Sequence, residues 1–156
     1  MSKILISHRG NVSGAVPHME NNPDYINKAF DAGFEVEVDV WYSVVDGWWL
    51  GHDGPQYKWN DGSFPSYFWC HCKNIYALNE FRKNSTIQQQ CKYFWHQNDD
   101  YTLTSSGHIW TYPGKPLGKY FNSIAVLPET TTNWDIDNAI GICSDNIKKY
   151  QLPTEI

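Results

Sequence analysis

The chain has 156 residues, which favours a single domain, and a hydrophobic content of 41% predicts a packed core rather than disorder. Its formal net charge of −5 argues against a surface for nucleic acid or anionic membrane, because both require patches of lysine and arginine. The sequence shows neither a secretory signal pattern nor an apolar run of about 18 residues, so we expect a cytoplasmic protein without a membrane span.

The four cysteines fit the free thiols of an intracellular protein; they are Cys70, Cys72, Cys91 and Cys143. Cys70 and Cys72 would share one face of a strand, which is a poor geometry for a mutual disulfide. A zinc site on Cys70, His71 and Cys72 is disfavoured, because the imidazole would point away from both thiols and no C-x-x-C pair exists to complete it.

The first predicted elements are a strand and a helix. A short apolar run at residues 3–7 predicts the strand, which ends at an H-R-G sequence beginning with His8. After a loop, apolar spacing over residues 26–33 predicts a helix that Asn22 or Asp24 caps and that a glycine ends.

Residues 34–41 alternate strictly between two kinds of side chain, which predicts a strand with two different faces. One face carries Val36, Val38 and Val40, and the other carries Glu35, Glu37, Asp39 and Trp41. The three carboxylates would lie about 7 Å apart and repel one another. Two interpretations remain open: an amphipathic strand with its acids in water, or a site where the carboxylates bind a hard divalent cation.

The remaining elements are predicted in chain order. A return strand at residues 48–50 follows an Asp-Gly turn and delivers His52 and Asp53, and residues 54–66 are predicted to form a loop. Further strands are predicted at 67–73, 91–97, 108–112, 123–127 and 139–143, and helices at 75–83 and 145–150.

These elements predict the α/β class. Strands that alternate with helices or short crossovers indicate parallel pairing, and strands that are apolar throughout fit burial on both faces. We expect a compact, truncated TIM-type (β/α) barrel in which loops replace several outer helices, because a full barrel needs about 200 residues or more. The alternative is an open parallel sheet, and in either fold ligands bind at the carboxyl ends of the strands.

Ionisable side chains gather at those predicted strand ends. They are His8, Arg9, Glu37, Asp39, His52, His71, Lys73 and His96. Each alone is more typical of a packed or solvated residue, and their joint placement is what indicates a site. We interpret Trp41, Trp69, Trp95 and Trp110 either as core packing or as the wall of a pocket for an apolar or sugar-like leaving group.

An ordered set of motifs resembles the signature of glycerophosphodiester phosphodiesterases. The set comprises His8-Arg9-Gly10, Glu20-Asn21, Glu37-x-Asp39 and His52-Asp53, and it covers about a third of the chain. Lys73 and residues 141–145 resemble the family more loosely. The same superfamily includes phosphatidylinositol-specific phospholipases C and the phospholipases D of the spider-venom type.

The resemblance implies one domain over residues 1–156 with barrel architecture and a set of roles. Glu37 and Asp39 would bind Mg²⁺ or Ca²⁺, with Glu20 as a further ligand or an outer group. His8 and His52 would be the general base and general acid, in either order, and Arg9 and Lys73 would hold phosphate oxygens. The chain departs from the family at His71, which stands where the family commonly places a metal-binding glutamate and which suits Mn²⁺ or Zn²⁺ better than Ca²⁺.

The activity implied is metal-dependent hydrolysis of glycerophosphodiesters or related lipid head-group phosphodiesters, with a cyclic phosphate as an alternative first product. The partner would be a small-molecule phosphodiester or lipid head group, and not a nucleic acid. Two alternatives stay open: a catalytically impaired module that binds metal or phosphate on the same fold, and a phospholipase D-like lyase.

Overall fold

One mixed β-sheet carries the fold. The computed structural model describes residues 2–60, 62–83 and 91–152. In these ranges ten strands form the sheet: β1 (Ile4–His8), β2 (Glu35–Ser43), β3 (Gly47–Leu50), β4 (Tyr57–Trp59), β5 (Phe68–Cys72), β6 (Lys92–Trp95), β7 (Tyr101–Leu103), β8 (Ile109–Thr111), β9 (Ser123–Val126) and β10 (Gly141–Ser144). The helices described are α1 (Pro23–Asp31), α2 (Ile75–Lys83) and two 3₁₀ helices, Pro128–Thr130 and Ile147–Tyr150.

Seven of these strands pair in parallel, in the order β6-β5-β2-β1-β10-β9-β8. The first strand therefore lies in the middle of the sheet, between β2 and the last strand. Three antiparallel strands add to this set: β3 pairs with the carboxyl half of β2, β4 pairs with β3, and β7 pairs with β8 at one edge. Within the described ranges no strand ladder joins β6 to β8, so the sheet is open there.

The predicted TIM-type (β/α) barrel is wrong. The structure is an open sheet of mixed pairing with two α-helices in the described ranges. The segments that connect β8, β9 and β10 are rich in Pro, Gly, Thr and Asn, which favour turns over helices. The alternative open parallel sheet agrees with the seven parallel strands, but it omits the antiparallel β3, β4 and β7.

The predictions for single elements, for the cysteines and for a membrane span have different outcomes. Asn22 caps α1, since its side-chain oxygen accepts hydrogen bonds from the backbone N–H groups of Asp24 and Tyr25. The segment 54–66, predicted as a loop, contains β4, and the helix predicted at 145–150 is a 3₁₀ turn. All four cysteines are buried, and none forms a disulfide, which the sequence predicted. No helix in the described part of the chain has the length and apolarity that a membrane span requires.

Both faces of β2 are buried. On one face Val36, Val38 and Val40 are fully buried in a cluster that includes residues of α1, α2 and β5. On the other face Glu37 and Asp39 are 2% and 0% exposed. The interpretation that placed these acids in water is therefore wrong for Glu37 and Asp39, and the sheet holds two carboxylates in its interior.

Candidate active site

The carboxyl end of β1 is fixed by backbone geometry that few residues accept. Arg9 and Gly10 adopt positive φ angles of 59° and 95°, which turn the chain away from the sheet. The Arg9 N–H donates to the carbonyl of Glu37 at 3.0 Å, and the Arg9 carbonyl accepts from the Asn21 N–H at 3.0 Å. A Cβ atom on Gly10 would lie 2.7 Å from the ring of Tyr25. His8 and Arg9 are therefore held over the end of β2.

Strand register brings the next residues to the same place. In the parallel ladders His8 pairs with Glu37, and Asp39 pairs with His71. Donor atoms of Glu37, Asp39 and His71 all lie within 4.8 Å of one another. The Nδ1 atom of His71 is 3.2 Å from Oδ1 of Asp39 and 3.9 Å from Oε1 of Glu37. These three side chains form the acidic cluster.

The hydrogen bond on the far side of His71 identifies one protonated nitrogen. Its Nε2 atom lies 2.8 Å from the carbonyl oxygen of His96. A carbonyl only accepts, so Nε2 carries a hydrogen, and in the neutral ring Nδ1 is an electron pair donor. That lone pair faces the same space as the two carboxylates. This arrangement, with one ring nitrogen oriented by a carbonyl, is common among metal-binding histidines.

Two buried oxygen atoms of the acidic cluster are without a hydrogen-bond partner in the described part of the structure. They are Oε2 of Glu37 and Oδ1 of Asp39, and buried polar atoms seldom remain so. The other oxygen of Asp39 accepts from the Asn21 amide at 2.9 Å and lies 3.1 Å from Nε of Arg9. Two carboxylates and an imidazole are ligands that Mg²⁺, Mn²⁺ or Zn²⁺ accept, so the residues fit a divalent cation.

Glu20 lies elsewhere in the site. Its two carboxylate oxygens accept from Nη1 of Arg9 at 3.1 Å and from the Asn11 amide at 2.9 Å. It thus orients the guanidinium rather than joining the acidic cluster. Lys73, whose ammonium lies 4.0 Å from Oδ1 of Asp39, adds positive charge from β5.

The two buried carboxyls of the cluster titrate in opposite directions. Burial and the neighbouring charge of Asp39 raise the pKa of Glu37 to about 7. Burial also acts on Asp39, but the close contact with His71 and the charge of Arg9 outweigh it and hold the pKa of Asp39 below its ordinary value. Near neutrality and without a cation, Glu37 therefore retains much of its proton.

A pH-dependent stability follows from the raised pKa of Glu37. The unfolded chain loses this proton near the ordinary value of 4.5, whereas the folded chain keeps it to about 7, so folding loses stability as pH rises between them. Relative to Glu37→Gln, the wild-type free energy of unfolding in EDTA should fall by about 3 kcal/mol from pH 4.5 to pH 8. Urea unfolding across this range measures the difference, and a difference that does not change with pH would contradict the burial argument.

His8 is paired with a carboxylate that the sequence analysis did not assign. Its Nδ1 lies 2.7 Å from Oδ1 of Asp145, and its Nε2 lies 3.7 Å from Oε2 of Glu37. Burial alone would lower the pKa of His8, but the hydrogen bond to Asp145 and the charge of Glu37 raise it. Asn11, fully buried, donates to the same oxygen of Asp145 at 2.9 Å. The sequence signals for Asp145 were its place two residues after the last predicted strand and the loose family resemblance of residues 141–145.

His52 lies on a tight loop after β3. Its Nδ1 is 2.6 Å from Oδ1 of Asp53, and the two side chains are 44% and 97% exposed. The loop is anchored because the Gly51 N–H donates to the carbonyl of Asp39 at 3.1 Å and the Gln56 N–H donates to that of Leu50 at 2.9 Å. His8 and His52 thus each have a carboxylate at Nδ1, though the exposed pair at His52 is weakly held.

The loop that carries His52 cannot accommodate a side chain at Gly51. Its φ angle is 154°, and an added Cβ would lie 2.1 Å from the carbonyl oxygen of Gly54. Gly51→Ala should therefore displace His52 and lower any turnover by at least about tenfold, because catalytic groups must be held closely. Gly107→Ala is the matched control, since its φ is 82° and nothing lies near its Cβ position. Equal activity of both variants would show that the loop does not position His52.

One cavity of about 570 Å³ collects these groups. It is lined by six of the predicted site residues, His8, Arg9, Glu37, His52, His71 and Lys73. The rest of its lining is partly apolar and aromatic, with Trp95, Trp110, Tyr112, Pro113, Val126 and Leu127, and partly polar, with His96, Gln97, Asn98 and Thr130. Asp39 is fully buried and is not in this lining, and Glu20 lines a second cavity.

Comparisons of the chain with protein-family models, with curated proteins and with solved structures give no match. The family resemblance therefore rests on the motifs in the sequence.

Proposed function

We propose that the protein is a metal-dependent phosphodiesterase that cleaves glycerophosphodiesters or related lipid head-group phosphodiesters. The observation that carries the proposal is the composition of one cavity. Two histidines, each with a carboxylate at Nδ1, line the same space as the acidic cluster and the guanidinium of Arg9.

The cationic side chains suit an anionic substrate. Arg9 is held at the cavity by Glu20 and Asp39, and Lys73 lines the same cavity from β5. A phosphodiester carries one negative charge that repels nucleophiles, and these two cations would neutralise it and hold its oxygens in place. A divalent ion bound by Glu37, Asp39 and His71 would supply further neutralisation of a phosphate oxygen as a Lewis acid.

The two imidazoles suit the proton transfers of the reaction. One takes a proton from the attacking hydroxyl as a new P–O bond forms, and the other donates a proton to the leaving alkoxide as the old P–O bond breaks. Asp145 and Asp53 orient the rings, so that each Nε2 is the nitrogen left for substrate. With water as nucleophile the products are a phosphomonoester and an alcohol, whereas a neighbouring substrate hydroxyl gives a cyclic phosphate.

Turnover of glycerophosphocholine and of a chromogenic phosphodiester, after EDTA and then with Mg²⁺, Ca²⁺, Mn²⁺ or Zn²⁺ restored, tests the proposal. We expect cleavage that requires a metal and is lost in His52→Ala. A preference for Mn²⁺ or Zn²⁺ would support His71 as a ligand. Phosphorus NMR of the products separates hydrolysis from formation of a cyclic phosphate.

The exposed, loosely held pair of His52 and Asp53 favours a second candidate, a binding module without turnover. This candidate predicts that divalent ions raise the melting temperature while no substrate is cleaved with any metal. If no substrate were cleaved and divalent ions did not shift the melting temperature, both candidates would be refuted.

A further inference from the structure

A second cavity of about 420 Å³ adjoins the first. The two cavities share two lining residues, Arg9 and His52. The walls of the second cavity come from the loop after β1 and the loop after β3, and the hydroxyl of Tyr57 links these loops by donating to the carbonyl of His18 at 3.4 Å. Arg9 and His52 thus stand between two binding spaces.

The two spaces differ in chemistry. The first has several aromatic and aliphatic side chains in its lining, among them Trp95, Trp110 and Tyr112. The second has polar side chains and only prolines as apolar lining, and its members are Arg9, Pro17, Glu20, Asn21, His52, Asp53, Gly54, Pro55 and Gln56. Both volumes fall in the range of roughly 300–1,000 Å³ that small ligands occupy.

The polar space suits hydroxyl groups better than a cation. The carboxylate of Glu20 is already paired with Arg9 and Asn11. The side-chain amide of Asn21 is also occupied, because its nitrogen donates to the Asp39 carboxylate and its oxygen accepts from the Asp39 N–H. The exposed Gln56 offers an amide with both a donor and an acceptor. A small polyol can use such an amide, whereas the absence of an aromatic ring from this lining disfavours a quaternary ammonium group.

We propose that the two cavities hold the two alcohol groups of one phosphodiester. An apolar or aromatic group occupies the first cavity, a small polyol such as glycerol occupies the second, and the phosphate lies between them at Arg9 and His52. This inference rests on the proposed function, since it assumes that the shared position receives a phosphodiester. It makes Tyr112 and Gln56 the residues that determine specificity, one for each alcohol group.

Calorimetric titration of the full chain with three ligands tests this assignment. The ligands are dimethyl phosphate, methyl phenyl phosphate and glyceryl methyl phosphate, and His8→Ala is used as the background so that none is cleaved. We expect the phenyl group and the glyceryl group each to lower Kd about tenfold relative to dimethyl phosphate, which corresponds to about 1.4 kcal/mol. Tyr112→Ala should abolish the gain from phenyl alone, and Gln56→Trp should abolish the gain from glyceryl alone.

Val45→Ala, a change at a side chain 90% exposed and outside both cavity linings, is the control and should alter neither gain. Loss of both gains in either variant, or no gain from either group in the background protein, would overturn the inference. Selective gains without turnover by the wild-type chain would refute the phosphodiesterase and leave the two-cavity assignment standing. Turnover by the wild-type chain without selective gains in affinity would support the phosphodiesterase and refute the two-cavity assignment.

Discussion

Replacing His8 with alanine should lower the turnover number for a chromogenic phosphodiester by about 10²–10⁴-fold, the range that a general acid or base contributes. The imidazole, 12% exposed, lies between Asp145 and Glu37, and in the described part of the structure no other ring occupies its position at the end of the central strand. The measurement is the metal-saturated turnover number across pH 5–9. Loss of one limb of the wild-type pH profile would identify the step in which His8 takes part.

The control for this variant is His18→Ala. His18 is exposed, lies in the same loop region, and lines neither cavity. It should retain wild-type turnover. If His8→Ala kept wild-type rates while remaining folded by circular dichroism, His8 would not transfer a proton in the reaction.

The convergence of these groups was predictable because local patterns locate the strands, and parallel strands end at the same edge of a sheet. Apolar runs indicate the strands, and parallel strands place their carboxyl ends at one edge. His8 beside Glu37 and Asp39 beside His71 follow once β1, β2 and β5 are neighbours in register. The burial of Glu37 and Asp39 could not be predicted from the sequence. The alternation of residues 34–41 indicates that the strand has two different faces, but it does not indicate what packs against each face.

The partner of His8 could not be read from the sequence for a different reason. Asp145 reaches His8 because β10 pairs with β1, which brings together the first and last described strands of the chain across more than a hundred residues. Pairing at such separation leaves no periodic signal, and a single aspartate after a strand is a common cap or turn residue. The short strands β4 and β7 were missed because three residues are too few to show alternation.

Replacing Asp39 with asparagine is expected to have the largest effect on the folded state. Asp39 is fully buried and lies 3.1 Å from Nε of Arg9, 3.2 Å from Nδ1 of His71 and 4.0 Å from the ammonium of Lys73. Removing the negative charge leaves the cationic side chains of Arg9 and Lys73 without this buried partner. Loss of one member of a buried ion pair costs about 3–5 kcal/mol, so the free energy of unfolding by urea in EDTA should fall by about that amount.

The same variant tests the cation site independently of turnover. In the wild-type chain a divalent ion bound by the acidic cluster should raise the melting temperature, because a ligand that binds only the folded state stabilises it. Asp39→Asn should lose most of this rise, since one anionic ligand is gone. Glu35→Gln is the matched control on the same strand: Glu35 is 30% exposed in its side chain and binds Lys92 at 2.8 Å, so its removal should cost less than about 1 kcal/mol.

The two variants together distinguish the loss of any carboxylate charge on this strand from the loss of a carboxylate in the acidic cluster. If Glu35→Gln and Asp39→Asn both kept the metal-induced rise, the cation would bind elsewhere and the acidic cluster would be a self-contained ion-pair network. If only Asp39→Asn lost it, the unpartnered oxygens of Glu37 and Asp39 would be explained as ligand atoms. The two buried carboxylates would then lower the stability of the fold without a cation and raise it with one. In this way metal binding would be coupled to the stability of the central strands.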